Sequence, residues 1–424
     1  MNGLTSAQRA PWQPLLVALA AAAACGAARA DESSPYFIGV TQGLTHDSNV
    51  YRAPNRVSDN YSSTGLVGGF DQPIGRQRVY ANASVQLNKY QSQTTLDNTS
   101  YNTSLGWDFA TLMKISGGLS FSASQRLVNT DNTNTLAPST DRNLAQTEQF
   151  AARAAWGGDG ALTLNTAYSH SRVHYSAPAF ASSESSQDSF SLGNNYRVGA
   201  TLNVGAGLRV SRSVSPQGVQ VSAGVFEENT SKGQNVDLRA DWRPTALTTT
   251  SARLSWTKQS NSRVGNRDFS GLTGALSATY APTAKLGFNA SLARDAGTNA
   301  SFFNLTNPIT GTTATGLSES SQTTNSLSVG ATYAATAKIS VNAGAQWRRS
   351  NLVDSFTVAG NGSNNERTDE IKSLSLGANY AFSRALTFGC SLSHLTRNAS
   401  ASATFAGFSY SADTANCIAQ FTLR

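Results

Sequence analysis

The chain has 424 residues and a formal net charge of +7, yet only 13% of its residues are charged. Its mean hydropathy is −0.29, and beyond the first thirty residues it holds no run of about 18 apolar residues, which excludes a bundle of membrane-spanning helices. Leu, Ile, Val and Phe are too sparse for a large solid core, while Ser, Thr, Asn and Gly abound; the regular placing of the apolar residues excludes a disordered chain.

The first element is a leader. Arg9 supplies a positive start, Leu15 to Ala28 is apolar, and Ala28-Arg29-Ala30 has the small-x-small form of a signal-peptidase site before Asp31. Residues 1–30 are therefore expected to be a cleaved signal peptide and residues 31–424 the folded domain. A retained anchor needs about 20 apolar residues, and a lipidated Cys25 lacks the usual Leu among the alanines before it.

Beyond the leader the chain alternates with period two. Leu202, Val204, Ala206, Leu208 and Val210 interleave with Asn203, Gly205, Gly207, Arg209 and Ser211; the runs from Leu286 to Ala293 and from Ile339 to Arg348 behave alike. Successive strand side chains point to opposite faces, so each segment has one apolar and one polar face. A hollow barrel with lipid outside and water inside accounts for both the alternation and the negative hydropathy.

A junction recurs in chain order: an alternating strand ends in an aromatic, a short turn comes next, and a new strand begins. The junctions are Phe70 with DQPIG, Phe109 with TLMK, Trp156 with GGDG, Tyr196 with RVGA, Trp242 with RPTA, Tyr280 with APTA, Tyr333 with AATA, and Tyr380 with AFSR. Eight aromatics at one level make a periplasmic girdle, because such rings suit the membrane–water boundary. Between junctions there is room for two spanning strands and a longer polar connection, as in 129–143, 295–322 and 358–370. Eight short turns join sixteen strands. A first strand near Tyr36 to Thr45 and a last near Asn416 to Leu423 give eighteen, with sixteen the alternative. The expected fold is an all-β, antiparallel, up-and-down transmembrane barrel with short periplasmic turns and long extracellular loops. The competing β-solenoid requires a repeat of about 20 to 30 residues and gives no reason for aromatics at alternate turns.

The last strand carries Cys417, Ala419, Phe421 and Leu423 on its apolar face, but the chain ends on Arg424 rather than on an aromatic. Cys390 and Cys417 both fall on apolar faces of strands expected to be adjacent. They read either as a cross-strand disulfide, suited to the oxidising periplasm, or as two small apolar thiols.

No catalytic, phosphate-binding or metal motif appears, so neither enzyme activity nor a cofactor is expected. His170 and His174 share a face but stand about 13 Å apart along a strand, too far to hold one metal. Asp131, Asn132 and Asn134 lack the glycine and closing Glu of a calcium loop. Parity turns Arg126, Arg153, Arg209, Arg239, Arg253 and Arg348 into the lumen, with Asp108, Asp237 and Asp241. The excess of Arg favours anions, unless the charges pair across strands and cancel.

The run GLTHDSNVYR carries Asp47, Asn49, Val50, Tyr51 and Arg52 at the end of the first strand. It resembles the element that opens the family described as putative β-barrel porin 2, which includes EpsL-like outer-membrane proteins of exopolysaccharide biosynthesis operons. Read without that resemblance, the same residues are an Asx-type turn closing the strand. The resemblance implies an outer-membrane barrel concerned with exopolysaccharide export, its basic lumen taking an anionic polymer. The other expected roles are a general or substrate-selective porin for small solutes, and a surface or adhesive barrel acting through its loops. Expected partners are outer-membrane lipid, a polysaccharide or small-solute permeant, and periplasmic export-machinery proteins; nucleic acid is not expected at a bacterial outer membrane.

Overall fold

The computed structural model describes residues 34–423 except 113, 129–139, 159, 223–224, 264–267, 297–302, 307–312, 317–322, 359–360 and 401–407. The leader, Asp131, Asn132, Asn134 and Arg424 lie outside the described residues.

Lipid offers no partner to a bare N–H or C=O, so a strand crossing it must be laddered on both sides. The strands are β1 (Tyr36–Asp47), β2 (Asp59–Ile74), β3 (Gln77–Tyr90), β4 (Asn98–Ala110), β5 (Ile115–Leu127), β6 (Leu144–Trp156), β7 (Leu162–Tyr175), β8 (Ser185–Val198), β9 (Leu202–Ser222), β10 (Val225–Thr245), β11 (Thr248–Asn261), β12 (Phe269–Thr283), β13 (Leu286–Ala296), β14 (Phe303–Thr306), β15 (Thr313–Gly316), β16 (Thr323–Ala334), β17 (Ile339–Val358), β18 (Asn361–Ala381), β19 (Leu386–Ala399) and β20 (Tyr410–Leu423). Eighteen of them form one antiparallel sheet in chain order, with β14 and β15 set apart as a separate hairpin. The ends meet: Ile38 lies opposite Leu423 and Asp47 opposite Thr414, which closes the sheet into a barrel. Among the described residues the only helical pieces are two 3₁₀ turns, Thr94–Leu96 and Pro178–Ser183.

Large apolar side chains stand exposed along the outer wall: Leu208 is 61% exposed, Leu238 56% and Leu392 58%. Their neighbours on the other parity are polar, and several are buried on the inner wall, including Asp237, Ser255 and Thr257. In six of the eight expected girdle positions the aromatic is exposed: Trp156, Tyr196, Trp242, Tyr280, Tyr333 and Tyr380. Phe70 and Phe109 are half-buried beside other rings, Phe70 6.2 Å from Tyr36 and Phe109 5.2 Å from Trp107.

Three expectations need correcting. The segment 358–370 is not a loop, because β18 begins at Asn361 and pairs with β17 from Val358 onward. A two-stranded ladder satisfies the backbone above the membrane, so a polar composition there does not end the strand. At several junctions the strand also runs past its aromatic. β2 continues to Ile74, and its turn is Gly75–Arg76, with Gly75 at φ +61°. The bounds at the chain's ends widen as well, since β1 reaches Asp47 and β20 starts at Tyr410.

A hydroxyl closes at least five of the periplasmic turns: Thr111 Oγ1 accepts the N–H of Ile115 (3.2 Å), and four others share one spacing. Thr283 Oγ1 accepts the N–H groups of Lys285 (3.2 Å) and Leu286 (3.0 Å). Thr336 takes those of Lys338 (3.1 Å) and Ile339 (3.0 Å), Ser383 those of Ala385 (3.3 Å) and Leu386 (3.0 Å), and Thr245 that of Leu247 (3.2 Å). Each of these four hydroxyls sits three residues after the junction aromatic, where it holds a backbone donor that the ladder leaves unpaired.

The alternation carries a direct test. Leu208→Arg, near mid-height on the lipid face, is expected to destabilise the barrel by about 2–4 kcal/mol. Asn203 lies on the opposite parity of the same strand, facing Asp241, and Asn203→Arg is expected to cost less than half as much. Urea unfolding in lipid vesicles reads both; equal costs would contradict the facing.

Candidate functional site

The inner wall of β9 to β13 carries a compact charged cluster. Arg239 and Arg253 are direct partners across β10 and β11, so two like charges face each other. Carboxylates on either side separate them. Asp237 lies 3.3 Å from Arg239 Nη2 and 3.3 Å from Arg209 Nη2, and Asp295 lies 3.2 Å from Arg253 Nη2. Asp237 is opposite Gly207, whose lack of a side chain leaves room for Arg209 to reach diagonally. Ser255 Oγ donates to Asp237 at 2.6 Å. The cluster thus has three arginines for two aspartates. Arg209 Nε is buried and has no hydrogen-bond partner among the described residues.

Above it the same wall is a lateral hydroxyl–amide network. Thr257 Oγ1 donates to Asn235 at 2.6 Å and meets Thr273 Oγ1 at 2.8 Å, and Gln259 Nε2 donates to Ser231 Oγ at 2.5 Å. These polar groups are buried, and each has a partner, which is the condition for leaving water.

A second charged site lies lower on the wall, toward the periplasm. Arg153 Nη2 is 2.7 Å from Asp108 Oδ1, across β4 and β6. The pair borders a hollow of about 510 Å³ whose other lining residues include Asn165, Asn195 and Arg239. Amides and guanidinium groups around such a space suit a hydroxylated, acidic solute. Of the six arginines expected in the lumen, four are therefore tied to inward aspartates: Arg153, Arg209, Arg239 and Arg253. Arg126 lies at the extracellular end of β5, and Arg348 lies midway along β17. Asp241 is exposed near the periplasmic end of β10.

The motif residues of the first loop build a cap at the extracellular rim. Asn49 is wholly buried. Its N–H donates to Asp47 Oδ1 (2.9 Å), its amide donates to the carbonyls of Ala53 (2.7 Å) and Ser411 (3.0 Å), and its Oδ1 accepts from the N–H of Ala53 (3.1 Å). Arg52 holds Asp47 bidentately, at 2.7 Å from each nitrogen, and also donates to the Asn49 carbonyl. That grip fixes Arg52 at φ +51°, a left-handed conformation that costs a non-glycine residue of the order of 1 kcal/mol. Val50, Tyr51, Ala53 and Leu96 pack into a small apolar core against Tyr90 and Leu127. Tyr51 donates to Gln93 at 2.7 Å, and Asp59 accepts the N–H groups of Ser92 (3.1 Å) and Gln93 (2.7 Å), which ties the second extracellular loop to the first. Asp97 ends that second loop. Burial pushes its carboxyl up, but Lys89 and the Tyr90 N–H outweigh this and hold it below the usual carboxylate range.

Cys390 and Cys417 are direct partners across β19 and β20 with Cα atoms 4.1 Å apart, and a disulfide joins them on the outer face. His170 is 2.9 Å from Asp188, and His174 2.6 Å from Glu184. Among the described residues no group of three or more His, Cys, Asp or Glu side chains is placed to hold a metal.

The sequence matches the model of a family described as "Putative outer membrane beta-barrel porin, MtrB/PioB" over residues 310–412, about a quarter of the chain. No protein of curated function matches it. Among solved structures it is similar to the siderophore receptor PirA from Acinetobacter baumannii, at 8% identity over 93% of this chain and 81% of that one, with a TM-score of 0.43. It is also similar to the outer membrane protein OpdK from Pseudomonas aeruginosa, at 12% identity over 92% and 98%, with a TM-score of 0.44. The unliganded ferric citrate transporter FecA gives 10%, 92% and 79%, with a TM-score of 0.43. The protein is a porin-like β-barrel of the outer membrane.

The cap and the disulfide each lead to a measurable outcome. Asn49→Ala leaves buried backbone groups unpaired, at about 1–3 kcal/mol for each one exposed to that loss; trypsin is expected to cut after Arg52 in the variant and not in the parent, while the barrel stays folded. Cys417→Ser is expected to cost about 2–4 kcal/mol. Its urea midpoint should equal that of the reduced parent, and a difference between the two would assign the effect to something other than the bond.

Proposed function

We propose that the barrel conducts hydrated anionic carbohydrate across the outer membrane, with an acidic exopolysaccharide leaving the cell as its cargo. The observation that carries this is the inner wall from β6 to β11. There Arg153, Arg209, Arg239 and Arg253 succeed one another beside amides and hydroxyls, with one guanidinium in excess of the carboxylates in the central cluster. Guanidinium groups bind carboxylates bidentately, while the amide and hydroxyl wall exchanges hydrogen bonds with sugar hydroxyls at little cost. Lateral pairing holds each arginine in place and keeps the attraction weak enough for the cargo to leave, the balance that conduction requires.

The second reading is a porin for small acidic solutes. It is favoured by the buried hydroxyl–amide network on β10 to β12, where part of the inner wall is closed to bulk water.

Conductance in planar bilayers under a salt gradient separates the two. The expected result is anion-selective steps that an acidic polysaccharide blocks. Replacing Arg153, Arg209 and Arg239 together by Gln should lower the anion-to-cation permeability ratio by roughly twofold or more. Block by a small sugar acid but not by polymer selects the porin. Selectivity unchanged by the three substitutions overturns the role given to this wall.

A further inference from the structure

The outer wall also carries cations that no ion pair holds among the described residues. Arg212 lies on the lipid-facing parity of β9 with Leu208 and Val210, Lys232 on that of β10 with Val236 and Leu238, and Lys258 on that of β11 with Leu254 and Trp256. All three are exposed. Arg212 and Lys232 are direct cross-strand partners. Lys258 is opposite Gln234, two residues along from Lys232. Direct partners hold their Cβ atoms about 4.5–5.5 Å apart and diagonal ones about 7–8 Å, and like charges so placed repel.

The nearby carboxylates offset only part of this charge. Asp188 is opposite Arg212, with its Oδ1 hydrogen-bonded to His170 (2.9 Å) and Tyr168 (2.7 Å). Glu228 accepts from Thr230 at 3.1 Å. Among the described residues, none of the three cations makes a hydrogen bond or an ion pair.

Their height is shared. Arg212 is ten residues beyond Leu202, Lys258 ten beyond Thr248, and Lys232 ten before the girdle residue Trp242. Arg294 is eight beyond Leu286 and exposed on the same outer face; Arg349, ten beyond Ile339, instead faces the Glu370 carboxylate across β17 and β18. Ten residues of a strand tilted by about 40° rise about 25 Å, the height of the apolar band of such a barrel. Between the girdle and this level the lipid face of these strands bears no charge.

We propose that Arg212, Lys232 and Lys258, with Arg294 further round the wall, form a binding surface for the phosphate groups of outer-leaflet glycolipid. A phosphate has several oxygens to share among converging cations and relieves their repulsion. The outward facing and the common height select a headgroup anchored in the membrane over a phosphate free in solution, and the surface owes nothing to the cargo of the lumen.

The test uses the whole protein in detergent with lipid A as the probe, bound lipid being counted by native mass spectrometry. The parent is expected to retain lipid A, and the variant Arg212→Gln/Lys232→Gln/Lys258→Gln to retain it about tenfold less or weaker still. The charge-conserving variant Arg212→Lys/Lys232→Arg/Lys258→Arg should retain it as the parent does. Heat-modified mobility confirms that each barrel is folded. Equal retention by the Gln variant, or of dephosphorylated lipid A by the parent, overturns the proposal. So does displacement by inorganic phosphate at equal concentration, which would make the ligand a free anion. Loss of self-association without loss of lipid in the Gln variant overturns it too, in favour of a contact between copies.

Discussion

Every feature of this protein depends on the pairing of β1 with β20. An open sheet would present a row of bare amides and carbonyls to hydrocarbon, each costing several kcal/mol. The ladder from Ile38–Leu423 to Asp47–Thr414 removes both edges at once. Once the backbone is satisfied by closure alone, side chains are free to divide by face. That freedom lets a chain of modest apolar content live in lipid: the ladder supplies the polar satisfaction, and only alternate residues need be apolar.

The features legible in the sequence are those the pleat makes local. Period-two alternation depends on one strand at a time, so the facing of Arg209, Arg239 and Arg253 was readable without knowing their neighbours. The count of eighteen strands was readable for the same reason. Charge pairing was not. Arg209 faces Asn235 and reaches Asp237 only diagonally, across Gly207. That contact is fixed by the register between strands, which no short stretch of sequence contains. The turn hydroxyls of Thr245, Thr283, Thr336 and Ser383 are a different case. Their constant spacing from the aromatic was present in the sequence, and the mechanism was the missing part.

The first-loop motif shows how a short segment does more than close a strand. Asp47 and Asn49 do form the local turn expected of such residues, but Asn49 also donates to the Ser411 carbonyl, at the far end of the chain, and Tyr51 donates to Gln93 in the next loop. The motif therefore ties two loops to the last strand at the seam where the barrel closes. The two faces of the wall treat their charges in opposite ways. Inside, arginine is matched with aspartate until a small excess is left. Outside, at the upper edge of the apolar band, the cations of β9 to β11 stand in no ion pair among the described residues.

The long strands divide the molecule mechanically. Beyond Val214, β9 pairs with β10 alone, and β10 gains its second neighbour only from Ser231. Likewise β17 beyond Asn351 and β18 before Asp369 have only each other. Below those rows every strand is clamped on two sides, and to bend one is to shear the whole cylinder. Above them each ribbon is a cantilever, stiff along its length and compliant across it, with its root in the rim. Amides in the ribbons can open to solvent without disturbing the wall, so a force applied at the cell surface is taken up as ribbon deflection before it reaches the bore.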